Sequence, residues 1–405
     1  MRIGVIGGGA SGLVAAIFAK DNNNEVVIFE RNKECGKKIL ATGNGRCNYW
    51  NTDQDVSHYQ SSEPALIKEL INPDIDEKVL NFFEYLGIVP KIKNGYYYPF
   101  SNQASTIKKA LLNEASRKNV IIKNEFLVTD IKMINNKFEI CGDKEKILVD
   151  KLIISTGSYA SPCTGSDGMG YNFLEKLGHT IIKPLPALVQ LKTNGAYLKI
   201  WQGIRTDVKL TLLEDGKNVK EESGEIQLTN YGISGICVFN LSNIVSRGLD
   251  NNKKEEILID FLPFIDTDIK EWVINQTKLT EKTIYDLLLS ILNERIVEVI
   301  FKESNVNGNK LFTDLSNNEQ EKIIEYCTSF KVTIIGTNSF NDSQVCSGGV
   351  KLSEINLSTM ESKKVSKLYV TGELLDITGD CGGYNLGIAW RTGLIAGVAS
   401  RGIYD

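Results

Sequence analysis

Gly7, Gly9 and Gly12 form a G-x-G-x-x-G pattern directly after the apolar run Ile3 to Ile6, and an apolar, helix-like stretch follows from Ala10 to about Lys20. The three glycines do different things: Gly7 permits a tight strand-to-helix turn, Gly9 lets backbone approach a pyrophosphate, and Gly12 lets the helix pack closely on the sheet. Phosphates held there would face a helix N-terminus, where unpaired N–H groups and the helix dipole favour anions. A second apolar run, Val26 to Phe29, ends in Glu30, eighteen positions after Gly12. An acidic side chain at that place can accept a hydrogen bond from a ribose 2′-OH and would repel a 2′-phosphate. Together these features predict a dinucleotide site, and the fingerprint alone leaves NAD and FAD open.

Three further segments could do chemistry. GKKILATGNGRCN (36–48) holds three glycines and three cations in thirteen residues, LIISTGSYASPCTGSDG (152–168) runs from an apolar strand into a Thr-Gly turn, and LYVTGELLDITGDCGGYNLGIAWRTGLIAG (368–397) joins a strand to a glycine-studded helix. Glycines interleaved with Lys37, Lys38 and Arg46 allow a backbone approach that a plain charged surface loop would not need. The eight cysteines form no C-x-x-C pair, which argues against a thiol–disulfide relay. His58 and His179 stand at no metal-ligand spacing, so a structural metal and histidine-based catalysis are not expected. Cys47 invites a nucleophile reading, but with no partner in view, packing beside a cofactor is the preferred role.

The elements that must position these residues follow from hydrophobic period. Residues 76–87 and 104–118 read as helices, 120–123 as a strand, and 125–149 as a small antiparallel meander with turns at Asn135-Asn136 and Gly142-Asp143. Cys35 to Asn48 reads as an irregular loop, and Lys151 to Ser155 as a buried strand. Beyond Pro184 and Pro186, residues 187–262 alternate β-like runs, and 266–330 are helical in pattern, with a core-like stripe at Ile284, Leu287, Leu288, Ile291 and Leu292. The expected organisation is α/β: a Rossmann-like nucleotide-binding domain in two parts, 1–186 and 333–405, interrupted by a β-rich insertion, 187–265, and a helical one, 266–332.

Composition limits the alternatives. With 405 residues the chain exceeds one ordinary core. Lys plus Arg total 46 against 50 for Asp plus Glu, with no long basic block, so no nucleic-acid partner is expected. No segment nears the roughly 20 uncharged apolar residues that span a bilayer, and the chain opens on a strand rather than a signal segment, which predicts a cytoplasmic protein without a membrane partner.

Taken together the segments resemble flavoproteins of the glutathione-reductase-type FAD fold, whose later signatures are matched by Thr156-Gly157 and by Gly372-Glu373 with Asp376. More narrowly, GKKILATGNGRCN, NYGISG (230–235), GGV (348–350), TMESK (359–363) and GELLD…GGYNLGIAW resemble the HI0933-like or YhiN-like bacterial family, with its aminoacetone-oxidase-like and BaiN-type bile-acid-flavin-reductase-like members. The resemblance covers essentially the whole chain. It implies FAD as cofactor, with Gly7, Gly9, Ala10, Ser11 and Gly12 at the pyrophosphate and Glu30 and Arg31 at the adenosine ribose. It places Lys37, Lys38, Gly43, Arg46, Cys47 and Asn48 along the phosphates and flavin, Val128 near the adenine, and Thr156 and Gly157 beside the ribityl–pyrophosphate region. Gly372, Glu373, Asp376, Gly383, Asn385 and Leu386 fall at the ribityl chain and isoalloxazine. There are departures: the family commonly has His where this chain has Asn230, Pro at Ile236 and Arg at Tyr96. Asn230 and Tyr231 stay weak catalytic candidates, able to hydrogen-bond a substrate carbonyl.

The implied function is an FAD-dependent oxidoreductase passing hydride between flavin N5 and a small organic substrate in a cleft between the FAD and inserted domains. Reduction of an activated C=C, as in a steroid or bile-acid enone, leads; O₂-dependent oxidation of a small amine, a tRNA-modifying flavoprotein and a non-enzymatic redox sensor are the alternatives. Residues 187–330 hold no second G-x-G-x-x-G, so NAD(P)H as donor would bind without its own Rossmann unit.

Overall fold

The computed structural model describes residues 1–402 apart from 144, 264, 266 and 267. Five short strands rich in β-branched residues, Arg2–Ile6, Glu25–Phe29, Ile121–Lys123, Lys151–Ile154 and Leu368–Val370, pair in parallel. Leu368–Val370 lies beside Lys151–Ile154, then Arg2–Ile6, Glu25–Phe29 and Ile121–Lys123; two antiparallel strands, Ile355–Asn356 and Glu361–Ser362, complete seven. Covered on both faces, such strands are apolar throughout rather than alternating. Accordingly Ile3, Val5, Val26, Ile28, Leu152, Ile153, Ile154, Leu368 and Val370 are all buried.

The first helix, Ala10–Ala19, is buried from Ser11 to Ile17. The C-terminal helix, Tyr384–Ser400, lies against it through Gly393 and Gly397, one turn apart. A methyl group at Gly393 would stand 2.5 Å from the Ser11 carbonyl oxygen, and one at Gly397 2.5 Å from that of Ala15. The two backbones therefore meet with no side chain between them.

By contacts the chain forms two compact units, Met1–Pro186 with Phe340–Asp405, and Ala187–Ser339. In the second, six strands close into a barrel in the order Leu191–Thr193, Gly232–Ser234, Lys217–Leu228, Arg205–Glu214, Glu255–Asp260 and Phe330–Thr337. Val208, Leu210 and Leu212 point inward at the two-residue period of a strand. The helices Ile269–Thr280, Ile284–Leu289, Glu294–Ser304 and Asn317–Thr328 share one core cluster with the barrel.

Several elements differ from expectation. The helix expected over 76–87 runs Pro73–Tyr85, because Asn72 caps it by accepting from Asp74 N and proline suits the first turn. The loop 35–48 contains 3₁₀ turns over Lys38–Gly45, broken where Thr42, Gly43 and Asn44 leave helical backbone angles. In the meander, strands Val128–Ile134 and Lys137–Gly142 turn through Asn135 and Asn136, both at positive φ. A helix not expected from the β-like character of 187–262, Ile236–Asp250, buries Cys237, Val238, Leu241 and Val245 on one side.

Candidate functional site

Because the four central strands are parallel, the residues after their C-terminal ends gather along one sheet edge: Gly7, Glu30, Ser155 and Thr371. In open α/β sheets this edge is where ligands bind. The fingerprint turn is built as the glycine pattern requires. Gly7 adopts φ +97°, and a methyl there would lie 2.5 Å from the Ser155 carbonyl oxygen. At Gly12 it would lie 1.9 Å from the Gly7 carbonyl oxygen. At Gly9, by contrast, it would meet no atom within 4 Å. Packing thus explains Gly7 and Gly12, whereas Gly9 borders open space, which fits a group approaching the backbone. Ala10 and Ser11 form the first turn of the helix behind it, whose N–H groups lack intrahelical acceptors.

Glu30 is buried, and its carboxylate accepts from Gly8 N at 2.8 Å, Asn32 N at 2.8 Å and Asn32 Nδ2 at 2.7 Å. A carboxylate has about four lone-pair positions, and these three bonds leave one unused. Arg31 forms an ion pair with Asp167. Val128 is buried at the start of its strand.

The Gly36–Asn48 cations turn toward neighbouring loops. Lys37 Nζ donates to the Cys163 carbonyl at 2.6 Å. Lys38 Nζ pairs with Glu373 at 2.7 Å, and Ser158 Oγ donates to the same carboxylate oxygen at 2.9 Å. Arg46 lies over the Tyr98 ring, 5.2 Å from its centre. Gly43 takes φ +55°. The Asn48 amide is satisfied when its nitrogen donates to the Trp50 and Tyr97 carbonyls. Cys47 is wholly buried, and burial pushes its thiol pKa up to about 12, so it stays protonated and is no nucleophile.

At the Thr-Gly turn, Gly157 has φ +75° and a methyl there would strike Ser166 Oγ at 2.4 Å. Thr156 Oγ1 would lie 2.0 Å from a methyl at Gly170, which seats the helix Met169–Lys176 against the turn. Gly372, at φ +68°, sits on Ser11, and its N–H donates to Thr392 Oγ1 at 2.9 Å. Asp376 is buried and accepts from Ser62 N at 2.9 Å and Ser62 Oγ at 2.5 Å. Gly383, at φ +97°, caps the C-terminal helix where a methyl would strike the Trp50 carbonyl. The Asn385 side chain turns back: Oδ1 accepts from Gly379 N at 2.9 Å and Nδ2 donates to Gly379 O at 2.8 Å. Leu386 is partly buried against the core.

Candidates from residues 7 to 157 and 372 to 386 thus fall in the first unit, on segments touching one another. Asn230 and Tyr231 fall in the second unit, exposed in the turn between two barrel strands. Sequence reasoning missed Ser155, whose hydroxyl lies 2.9 Å from the carbonyl oxygens of both Ile6 and Gly7 and so ties the second glycine turn to the first. A serine one place before Thr-Gly was the available signal. It also missed Ser158 and the cluster of His58, Asp53 and Asp380, where His58 Nδ1 lies 3.2 Å from Asp380 and Nε2 3.0 Å from Asp53.

Strand, glycine turn, helix and acid-terminated second strand on a parallel sheet define a Rossmann-type nucleotide-binding fold. The chain matches the HI0933-like protein Rossmann domain over residues 1–399, and it belongs to that family. It is similar to the 3-dehydro-bile acid delta(4,6)-reductase of Clostridium scindens, 39% identical over 403 residues, 98% of each chain. It is also similar to the ribosomal RNA dihydrouridine synthase of Haemophilus influenzae, 28% identical over 96% of this chain and 95% of the other. Among solved structures, the 3-ketosteroid-delta4-(5alpha)-dehydrogenase of Rhodococcus jostii RHA1 aligns over 99% of this chain and 96% of that one, at 13% identity and TM-score 0.49. No helix among the described residues is long and apolar enough to cross a membrane.

Proposed function

We propose that the chain is an FAD-dependent oxidoreductase that reduces a C=C bond conjugated to a carbonyl, in a steroid or bile-acid enone, with NAD(P)H as electron donor. The observation that carries this reading is the convergence of three sequence-distant glycine turns, at Gly7, Gly157 and Gly372, on one sheet edge beside the open space at Gly9. Bound there, FAD would supply hydride from N5 to the β-carbon of the enone, the α-carbon taking a proton.

The chain's own residues then have these roles. Gly7 to Gly12 and the first turn of the helix hold the pyrophosphate, and the remaining lone pair of Glu30 takes a ribose hydroxyl. The N-terminal turn of the C-terminal helix would offer its N–H groups to the flavin, which gains negative charge on reduction. Lys38, Ser158 and Glu373 brace the ribityl side by holding one another.

The bile-acid relative, named for a 4,6-reduction of a 3-oxo steroid, supports the enone. A second reading has an observation of its own. The dihydrouridine synthases are named for saturating a uracil ring, also a C=C conjugated to a carbonyl, and lie at 28% and 26% identity. Both readings share one bond change, so charge balance is a weaker guide to the partner than the assay. Anaerobically reduced protein is mixed with a 3-oxo-4,6-diene bile acid, with uridine-containing ribosomal RNA, or held as a control, and oxidised protein is mixed with an aminoketone. Prompt reoxidation by the diene supports the proposal, reoxidation by RNA supports the second reading, and bleaching of the oxidised protein by the amine with no response to either alkene overturns both.

A further inference from the structure

The loop Thr378–Gly383 delivers the chain to the C-terminal helix, and its other side is held by a short segment that no glycine motif marks. Tyr59 and Gln60 pair antiparallel with Gly379 and Thr378, and Asp380 N donates to the His58 carbonyl at 2.8 Å. The His58 ring then closes the arrangement. Nδ1 lies 3.2 Å from Asp380, Nε2 lies 3.0 Å from Asp53, and the ring stacks on Tyr384 at 4.6 Å and 22°. Asp53 N in turn donates to Asn51 Oδ1 at 3.0 Å, and Asn51 Nδ2 donates to the Gly382 carbonyl at 2.9 Å. One imidazole therefore links both flanks of the glycine pair that caps the helix.

We propose that His58, bridging Asp53 and Asp380 through both ring nitrogens, is the positioning residue for the loop Thr378–Gly383 and hence for the first turn of the C-terminal helix. The inference rests on the FAD reading and deepens it, since that turn would face the flavin. Two carboxylate partners require both nitrogens to donate, which is the imidazolium form. The groups facing the ring are Asp53 and Asp55 on one loop, Asp380 on the other and Tyr384 on the helix, with Tyr59 beside it on its own strand and Arg391 bonded to Tyr59 one layer out. Burial works against the charged ring, but the hydrogen bonds to Asp53 and Asp380 outweigh it and raise the His58 pKa above its ordinary value. As pH climbs through that value, one nitrogen loses its proton, a lone pair faces a carboxylate, and the loop loses a tether.

The test is an FAD titration from about pH 5.5 to about pH 9 with wild type, His58→Gln and Asp380→Asn. Wild-type affinity should fall about tenfold across the His58 titration, whereas His58→Gln, which keeps a donor but cannot charge, should show a flat profile. A His58→Gln profile parallel to that of the wild type overturns the proposal. The chain has two histidines, so their imidazole C–H NMR signals give a readout independent of cofactor. The signal lost in His58→Gln should titrate above the ordinary histidine value and move down in Asp380→Asn; no movement overturns the proposal. A wild type that binds no FAD at any pH refutes the cofactor reading instead, and the NMR titration still decides the His58 link.

Discussion

Arg391 Nε lies 2.5 Å from Asp76 Oδ1, with the arginine side chain wholly buried inside the C-terminal helix. The same guanidinium donates to Tyr59 OH at 3.1 Å and Gln54 Oε1 at 2.7 Å, and its flat face lies 4.6 Å from the centre of the Trp50 ring. It therefore ties the helix that bears Gly383 and Asn385 to the helix Pro73–Tyr85 and to the segment carrying His58. Removing one partner of a buried pair costs about 3–5 kcal/mol, because the other charge is left unpaired. Arg391→Met should lose that much in urea unfolding, and Arg391→Lys should recover little of it, since an ammonium cannot reproduce the planar fork. A loss under about 1 kcal/mol for Arg391→Met would refute the role given to this pair.

The second unit should weaken as pH rises from about 5 to about 8. Glu255 is wholly buried in a barrel strand, and neither of its oxygens has a hydrogen-bond partner among the described residues. Burial, reinforced by the nearby Glu214 carboxylate, pushes its pKa from 4.5 up to about 7. A raised acid contributes stability that is fully present below its unfolded pKa and is lost as pH rises through the folded one. Glu255→Gln should therefore be more stable than wild type at pH 8 by up to about 3 kcal/mol, with the difference shrinking toward pH 5. Thermal unfolding at the two pH values checks this, and an unchanged difference would rule it out.

The first unit should weaken in acid, through the opposite shift. Burial would raise Glu354, but hydrogen bonds from Lys364 and Thr180 outweigh it and hold its pKa at about 2. Its stabilising contribution, up to about 3 kcal/mol, is present above about pH 4.5 and disappears as pH falls toward 2. His179, buried with Nδ1 3.1 Å from Glu354 and Nε2 2.8 Å from Ser362 Oγ, has its pKa lowered by burial and joins the same cluster. Glu354→Gln should be less stable near pH 7 and less sensitive to acid. Equal acid sensitivity in variant and wild type would contradict the assignment.

What could be read from the chain was what is local in it. The fingerprint, the helix behind it and Glu30 lie within thirty residues, and the collision that makes Gly12 a glycine is with Gly7 inside that span, whereas the one at Gly7 is with Ser155, far away in sequence. The meander was legible because Asn135 and Asn136 turn a hairpin on their own. The partners of Lys38 and Ser155 were not, because Glu373 and Gly7 are far away in sequence. The resemblance placed Asn385 at the cofactor, and its side-chain amide turns back on Gly379 and Asp380, a local contact that no spacing in the chain announces. Barrel closure escaped notice because it depends on pairing Leu191 with Thr337, a register that no single strand encodes. The helix Ile236–Asp250 carried a readable spacing at Cys237, Val238, Leu241 and Val245, but strands on both sides masked it.

If FAD fills the open space at Gly9, substitutions at two neighbouring glycines should act in opposite ways. A methyl at Gly12 would collide with the Gly7 carbonyl, whereas one at Gly9 meets nothing in the protein itself. Calorimetric FAD titration with parallel thermal unfolding should find that Gly12→Ala is strongly destabilised. Gly9→Ala should unfold like the apo wild type yet bind FAD at least about tenfold more weakly, a loss of about 1.4 kcal/mol. Undiminished FAD affinity in a folded Gly9→Ala protein would contradict the placement of the cofactor.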